Sequence, residues 1–233
     1  MDEVQQIIEK YNSVIKNVEA KALSSQERAY GGVIRSEKGK LVEEISRLII
    51  TASWRKLNQN LKRLECRRVG FKIPIKRNYL KKLEPEIKNY IEKNIRDFYY
   101  LYKPDIAVFI DNKLAVVVEC KAYTENAMLK RILVDFWLLK QRYPDINFVL
   151  IQLESQLGGD YSKLPAKPLG SPSTHTLLSY FDVDLKIITL LKEERDIKKP
   201  IHKFFKPLTR KSLNAAIKTI AEVLKRWAIQ TGK

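Results

Sequence analysis

PDIAVFIDNKLAVVVECK, residues 104–121, holds two apolar runs, IAVFI and LAVVV, on either side of Asp111, Asn112 and Lys113. Apolar runs around a polar turn predict a β-hairpin, and their β-branched residues suit a buried sheet. Three charges break the apolar pattern at one end. Asp105 opens the first run, and Glu119 and Lys121 close the second. Buried charge is costly unless paired or bound to an ion, so this end of the hairpin is the candidate active site. Side chains alternate along a strand, which puts Glu119 and Lys121 on one face and Val118 and Cys120 on the other. With a three-residue loop, Ile110 pairs with Leu114 and Asp105 falls opposite Glu119. A two-residue loop breaks that register, so the reading depends on loop length. Two adjacent carboxylates repel unless a cation lies between them. An all-oxygen ligand set with open positions suits Mg²⁺ or Mn²⁺.

The 233 residues are enough for one packed domain, and 45% are hydrophobic, as in a globular protein. No apolar run reaches the length of a membrane span. The N-terminal MDEVQQIIEKYNS is acidic and amphipathic, unlike a signal peptide, so a cytoplasmic location is expected. The 44 Lys and Arg against 27 Asp and Glu give a formal net charge of +17. That balance points to a polyanionic partner, with nucleic acid first. No segment combines a basic face with exposed aromatics, which argues against a membrane surface. The basic residues are spread through the chain, which favours a folded binding surface over a disordered arm. The two cysteines, Cys66 and Cys120, belong to no CxxC or Cys/His set, which argues against structural zinc. Cys120 is expected in the core as a small hydrophobe.

Apolar spacing predicts helices over residues 2–22, about 39–57, 82–99, 125–143 and 209–229. Strands are predicted near 69–75, 146–153 and 184–191, besides the hairpin. Ser24-Ser25 and Gly31-Gly32 mark a break between the first two helices. On the second, Leu41, Ile45, Leu48, Ile49 and Ala52 form the apolar face. At about 100° per residue, Glu44 falls near the edge of that face and Glu43 nearly opposite it. On the third, Leu83, Ile87, Tyr90, Ile91 and Ile95 share a face. The order hairpin, helix, strand requires a crossover. The fold class is therefore α/β, with a mixed central β-sheet flanked by helices. Residues 155–176 are rich in Gly, Pro and Ser and read as the longest loop. Long loops in compact domains are often functional. This one carries Lys163, Lys167, Ser171, Ser173, Thr174 and His175, which can hydrogen-bond phosphates or base edges.

Several chemistries are excluded. The two histidines, His175 and His202, are far apart, and no nucleophile elbow is present. There is no GxxxxGK[ST] loop for an NTP and no GxGxxG for a dinucleotide. What remains is chemistry for carboxylates, a lysine and a hard metal, of which phosphodiester hydrolysis is the obvious member.

Pro104-Asp105, then Glu119-Cys120-Lys121 after thirteen intervening residues, resembles the PD-(D/E)XK nuclease superfamily. Arg35, Ser36, Gly39, Lys40 and Glu43 also match a segment, Arg-Ser-x-x-Gly-Lys-x-x-Glu, found in a number of type II restriction endonucleases. The resemblance covers a catalytic core of about 35–153 within a single nuclease domain, 1–233. Segments 1–34 and 154–233 are then additions that contact DNA or form a dimer. The resemblance implies a restriction-endonuclease-like core in which Asp105, Glu119, the Cys120 carbonyl and Glu43 hold Mg²⁺, with Mn²⁺ able to substitute. It favours Glu43 over Glu44, which stays in reserve. Lys121 would contact the attacking water or the phosphate, and Glu43 would join the metal shell or orient Lys121. The activity implied is that of a type II restriction endonuclease. Such an enzyme cuts double-stranded DNA at a specific sequence, leaves 5′-phosphate ends, and uses neither a nucleotide cofactor nor a membrane. A homodimer matches a symmetric site. Two alternatives stand beside it. One is a structure-selective nuclease, such as a Holliday-junction resolvase or repair nuclease; the other is an inactive nuclease-like DNA-binding protein. Arg35, Lys130, Arg131, Ser173 and His175 are the candidate DNA contacts.

Overall fold

A computed structural model describes residues 2–25, 30–159 and 170–229. Helix α1 (Glu3–Ser24) is capped by the Asp2 carboxylate, which accepts from the Val4 amide, and it buries Val4, Ile7, Tyr11, Ile15 and Val18 as the spacing predicts. Helix α2 (Tyr30–Lys56) begins well before Gly39, and Gly31 and Gly32 lie inside it. Packing explains the difference. Ile34 and Val33 rest on Val18 and Ala22 of α1, and that contact outweighs the low helix propensity of glycine.

Strand β1 (Leu64–Arg67) has no clear apolar period and escapes a sequence reading. Strand β2 (Phe71–Pro74) forms where a short strand is expected. After the single-turn α3 (Arg77–Leu80), helix α4 (Pro85–Lys93) covers only half of the stretch predicted to be helical. Pro85 sets its start and the non-helical Asn94 ends it. Of the expected apolar face only Ile91 is buried, while Ile87 and Tyr90 are exposed. The chain then extends into β3 (Tyr99–Tyr102), an aromatic run that pairs antiparallel with β2. The hairpin strands are β4 (Ile106–Ile110) and β5 (Lys113–Glu125). There follow α5 (Asn126–Lys140), β6 (Asn147–Gln156), α6 (Pro172–Tyr180), β7 (Leu185–Thr189) and α7 (Arg210–Ile229).

The main sheet runs β1-β4-β5-β6-β7, and β2-β3 form a separate pair. β1, β4 and β5 are antiparallel neighbours, while β5, β6 and β7 are parallel. This is the expected mixed α/β sheet, with a core on each face. Residues of α1, α2 and α7 pack with Ile106, Val108, Val118 and Cys120. Residues of α5, β2 and β3 pack with Ala107, Val117 and Leu150. No described helix is long and apolar enough to cross a membrane, and both cysteines are free thiols.

The stretch read as a loop at 155–176 is shorter than expected at both ends, because β6 runs to Gln156 and α6 starts at Pro172. Lys163 and Lys167 lie outside the described residues. Ser171 is the N-cap of α6, accepting from the Thr174 amide. Thr174 is fully buried and donates to the Leu157 carbonyl at 2.8 Å. These two hydroxyls therefore serve the fold and not a ligand.

The register of the hairpin differs from expectation in its route and agrees in its result. Its turn has two residues, Asp111 and Asn112, both in the left-handed region at φ 49° and 63°. This is the backbone that suits tight hairpin turns and that Asp and Asn tolerate. Ile110 therefore pairs with Lys113, not Leu114. The register then shifts, with Phe109 opposite Leu114 but Val108 opposite Val116. Ala115 is the extra residue of a β-bulge, and it joins the same apolar core as its neighbour Val116. Beyond the bulge Ile106 faces Val118, so one residue further Asp105 is level with Glu119. The bulge supplies the residue that the loop does not.

Candidate active site

Three side chains converge at the open end of the hairpin. Asp105 precedes β4, and its Oδ2 accepts from the Cys120 amide at 2.7 Å and from Lys121 Nζ at 2.9 Å. Lys121 Nζ also donates to Glu119 Oε2 at 2.5 Å. The ammonium thus bridges the two carboxylates. Glu119 Oε1 accepts from the Tyr102 hydroxyl at 2.7 Å. Cys120 points the other way, its thiol 3.3 Å from the Ser46 hydroxyl in the opposite core.

The electrostatics follow from burial. Burial pulls the Lys121 pKa down, but Glu119 and Asp105 outweigh it and push it up to about 12. Lys121 is therefore an ammonium at neutral pH, a donor and not a base. Burial raises Glu119 above the usual carboxylate range, with Lys121 opposing the rise and Asp105 adding to it. A cleft of about 460 Å³ opens onto the group, lined among others by Tyr102, Arg131 and Asp135. Asp135 comes from α5 and accepts from the Tyr100 hydroxyl at 2.6 Å. A larger, mostly apolar hollow of about 830 Å³ between Ile73, Tyr99 and Trp137 adjoins the cleft at Tyr100 and contains none of the three motif side chains.

Glu43 and Glu44 are told apart by burial. The Glu44 side chain is 51% exposed and pairs with Lys10 of α1 at 2.8 Å. The Glu43 side chain is only 12% exposed, although the helical wheel puts it opposite the apolar face. The wheel fails because α2 buries more than its apolar stripe: Val42 and Ser46 are buried as well as Leu41, Ile45 and Ile49. Arg47, one turn further along α2, bonds Glu43 at 3.0 Å, and Arg68, just past β1, reaches both of its oxygens. Among the described residues no three His, Cys, Asp or Glu side chains gather as a metal-holding cluster. Glu43 is held by Arg47 and Arg68, and Arg68 in turn feels the charge of Asp105.

The donor set suits a hard divalent cation. Two carboxylates are adjacent, and the Cys120 carbonyl follows Glu119 directly in sequence. In an antiparallel pair the amide and carbonyl of one residue point the same way. The Cys120 amide bonds Asp105, so its carbonyl faces that side too, past the last pair of β4 and β5. Oxygen donors of this kind match Mg²⁺ or Mn²⁺ and not zinc.

Of the expected DNA contacts, Arg131 lines the cleft beside the motif. Lys130 and Ser173 meet at a shallow depression of about 480 Å³ between α5 and α6. Arg35 is exposed near the start of α2. Ser173 and His175 are exposed on a helix, not on a loop. Sequence reasoning missed Tyr102, Asp135 and Arg68. Tyr102 falls between the predicted helix at 82–99 and the hairpin, where no element is predicted; Asp135 reads as one charge on the helix predicted at 125–143, and Arg68 is masked by the basic run around it.

The type II restriction enzyme DdeI of Desulfomicrobium norvegicum (strain DSM 1741 / NCIMB 8310) is 47% identical over 230 residues, spanning 95% of this chain and 96% of the relative. The chain belongs to the type II restriction enzymes. No family model matches it. A solved structure described as the native BbvCI A2B2 tetramer at low resolution aligns over 95% of this chain and 88% of that one, at 13% identity and a TM-score of 0.36, too distant to bear on the site. For this restriction enzyme, the formal charge of +17 suits a polyanionic substrate, and Arg131 brings a basic side chain to the wall of the cleft at the hairpin end.

Proposed function

We propose that the chain is a magnesium-dependent endonuclease of the PD-(D/E)XK superfamily that cuts double-stranded DNA at a specific sequence. It works in the cytoplasm as a homodimer and leaves 5′-phosphate and 3′-hydroxyl ends. The observation that carries this reading is the convergence of Asp105, Glu119 and Lys121 at the mouth of one cleft. Kinship with a type II restriction enzyme supports it.

Asp105, Glu119 and the Cys120 carbonyl would hold Mg²⁺, with Mn²⁺ able to replace it. When bound, the ion supplies Lewis acidity and a bound water of lowered pKa. The chain's own residues do the rest. Lys121 donates to a phosphate oxygen or to the attacking water and offsets negative charge that grows on the phosphate. The water oxygen bonds to phosphorus as the bond from phosphorus to O3′ breaks. Tyr102 keeps Glu119 turned into the cleft. Arg131, at the cleft wall, and Lys130, Ser173, Arg35 and His175, further out, hold the flanking DNA.

Incubation with plasmid DNA and Mg²⁺ tests this. Discrete, reproducible fragments are expected, and Asp105→Ala and Lys121→Ala should bind DNA without cutting it. Full activity in both variants would sink the assignment. Cleavage of branched DNA alone would make the chain a structure-selective nuclease, and retarded but uncut DNA would make it a binding module.

A further inference from the structure

Arg68 lies just past β1, outside every part of the motif. β1 pairs with β4 so that Arg67 faces Ala107. One residue on, Arg68 is level with the first residue of β4, next to Asp105. Its guanidinium donates through Nε to Glu43 Oε1 at 2.9 Å and through a terminal nitrogen to the other oxygen. Asp105 adds to the field that keeps Arg68 cationic, after the larger effect of Glu43.

An ordinary surface ion pair explains this poorly. Arg47 already neutralises Glu43 at 3.0 Å and ties it to β1 through the Cys66 carbonyl at 2.8 Å. Arg68 is a second arginine on the same carboxylate, and its side chain is 70% exposed. Exposed pairs of this kind contribute little to stability. A guanidinium has five N–H donors in a planar fork. The edge bonded to Glu43 fixes its orientation and leaves the remaining donors for solvent or a ligand. Such a fork, held rigidly beside a carboxylate site, matches the oxygens of a phosphodiester.

We propose that Arg68 binds a DNA phosphate at the active centre and that Glu43 is its positioning residue, not a metal ligand. The proposal rests on the endonuclease reading of Asp105, Glu119 and Lys121. Arg68 then stabilises charge on the phosphate oxygens from the side opposite Lys121's strand. Glu43 then acts on the site through Arg68, whose guanidinium it orients.

Single-turnover cleavage with a Mg²⁺ titration tests the proposal in Arg68→Ala, Arg68→Lys, Glu43→Gln and the Glu43→Gln/Arg68→Ala double variant. Arg68→Ala should slow cleavage on the order of a hundredfold. Arg68→Lys should not restore the rate, because an ammonium cannot make the forked contact. Glu43→Gln should slow cleavage by less. The double variant should be no slower than Arg68→Ala, since the two residues act as one unit. Half-saturating Mg²⁺ should stay the same throughout. In metal-free binding, Arg68→Ala should lower the salt slope by about one. A parental rate in Arg68→Ala or Arg68→Lys overturns the proposal. So does a raised Mg²⁺ requirement in Glu43→Gln alone, which would make Glu43 a ligand. If Asp105→Ala and Lys121→Ala still cut, the assignment of Asp105, Glu119 and Lys121 as the active site has failed. If those two are inactive while Arg68→Ala cuts normally, only the role of Arg68 has.

Discussion

Tyr102→Phe removes one hydroxyl from the most buried part of the site. That hydroxyl donates to Glu119 at 2.7 Å, and the two residues are 4% and 8% exposed. A hydrogen bond to an ionised group contributes about 1.5–3 kcal/mol. Phe keeps the ring contact with Phe136, whose centroid is 6.4 Å away, so packing is conserved and the loss is that of the bond. In a chain of this size each kcal/mol moves the melting temperature by about 2–4 °C. The Tm should therefore fall by roughly 3–12 °C. The catalytic effect is separate. The bond fixes one oxygen of Glu119 while Lys121 takes the other, and loss of a partner that orients a metal-binding carboxylate costs about 10–100-fold. The cleavage rate should fall by that factor with little change in DNA affinity, because the Tyr102 hydroxyl is taken up by Glu119. Glu119 is already raised by burial, and the variant removes a donor that favours its charged form. The acid limb of the pH–rate profile should move to higher pH. Calorimetry with single-turnover cleavage across the acidic and neutral range measures all three effects. A variant that cuts at the parental rate with an unmoved acid limb refutes the claim that Tyr102 holds Glu119.

Glu119 also predicts how stability varies with pH. Its folded pKa lies above the ordinary 4.5, so the protonated form favours folding and the ionised form costs stability. As pH rises from below 4.5 through the shifted pKa, Glu119→Gln should gain steadily on the parent in calorimetry; a constant difference would contradict this. Lys121 has the opposite charge, and its raised pKa places its window at the other end of the scale. Its pairing should stabilise the fold fully below pH 10.5 and be lost as pH rises through about 12. Lys121→Met should lack that alkaline loss when the two proteins are titrated side by side. Gly158 has φ +85°, and a Cβ there would stand 2.5 Å from the Ser171 amide nitrogen. Gly158→Ala should cost at least about 1–2 kcal/mol from the backbone alone, seen as a Tm lower by roughly 2–8 °C; an unchanged melt would mean that the α6 cap can shift freely.

What residues 104–121 say by themselves is local. Strand period, β-branched composition and the positions of Asp105, Glu119 and Lys121 need no partner to be read, because alternation along a strand is a property of the chain. The same holds for α7, where Leu213, Ala216, Ile217, Ile220, Val223, Leu224 and Trp227 are all buried as their spacing predicts. The tertiary structure decided what depends on a distant neighbour. The site's register rests on a bulge at Ala115, and the two-residue turn alone does not predict it. The burial of Glu43, which the helical wheel places outside, follows from Arg47 and from Arg68 just past β1, a strand without a readable period. Tyr102 reaches Glu119 because the run Tyr99–Tyr102, for which no strand is predicted, pairs with β2. In each case the free energy that decides the matter comes from burial against residues far along the chain, and periodicity in a short window does not contain it.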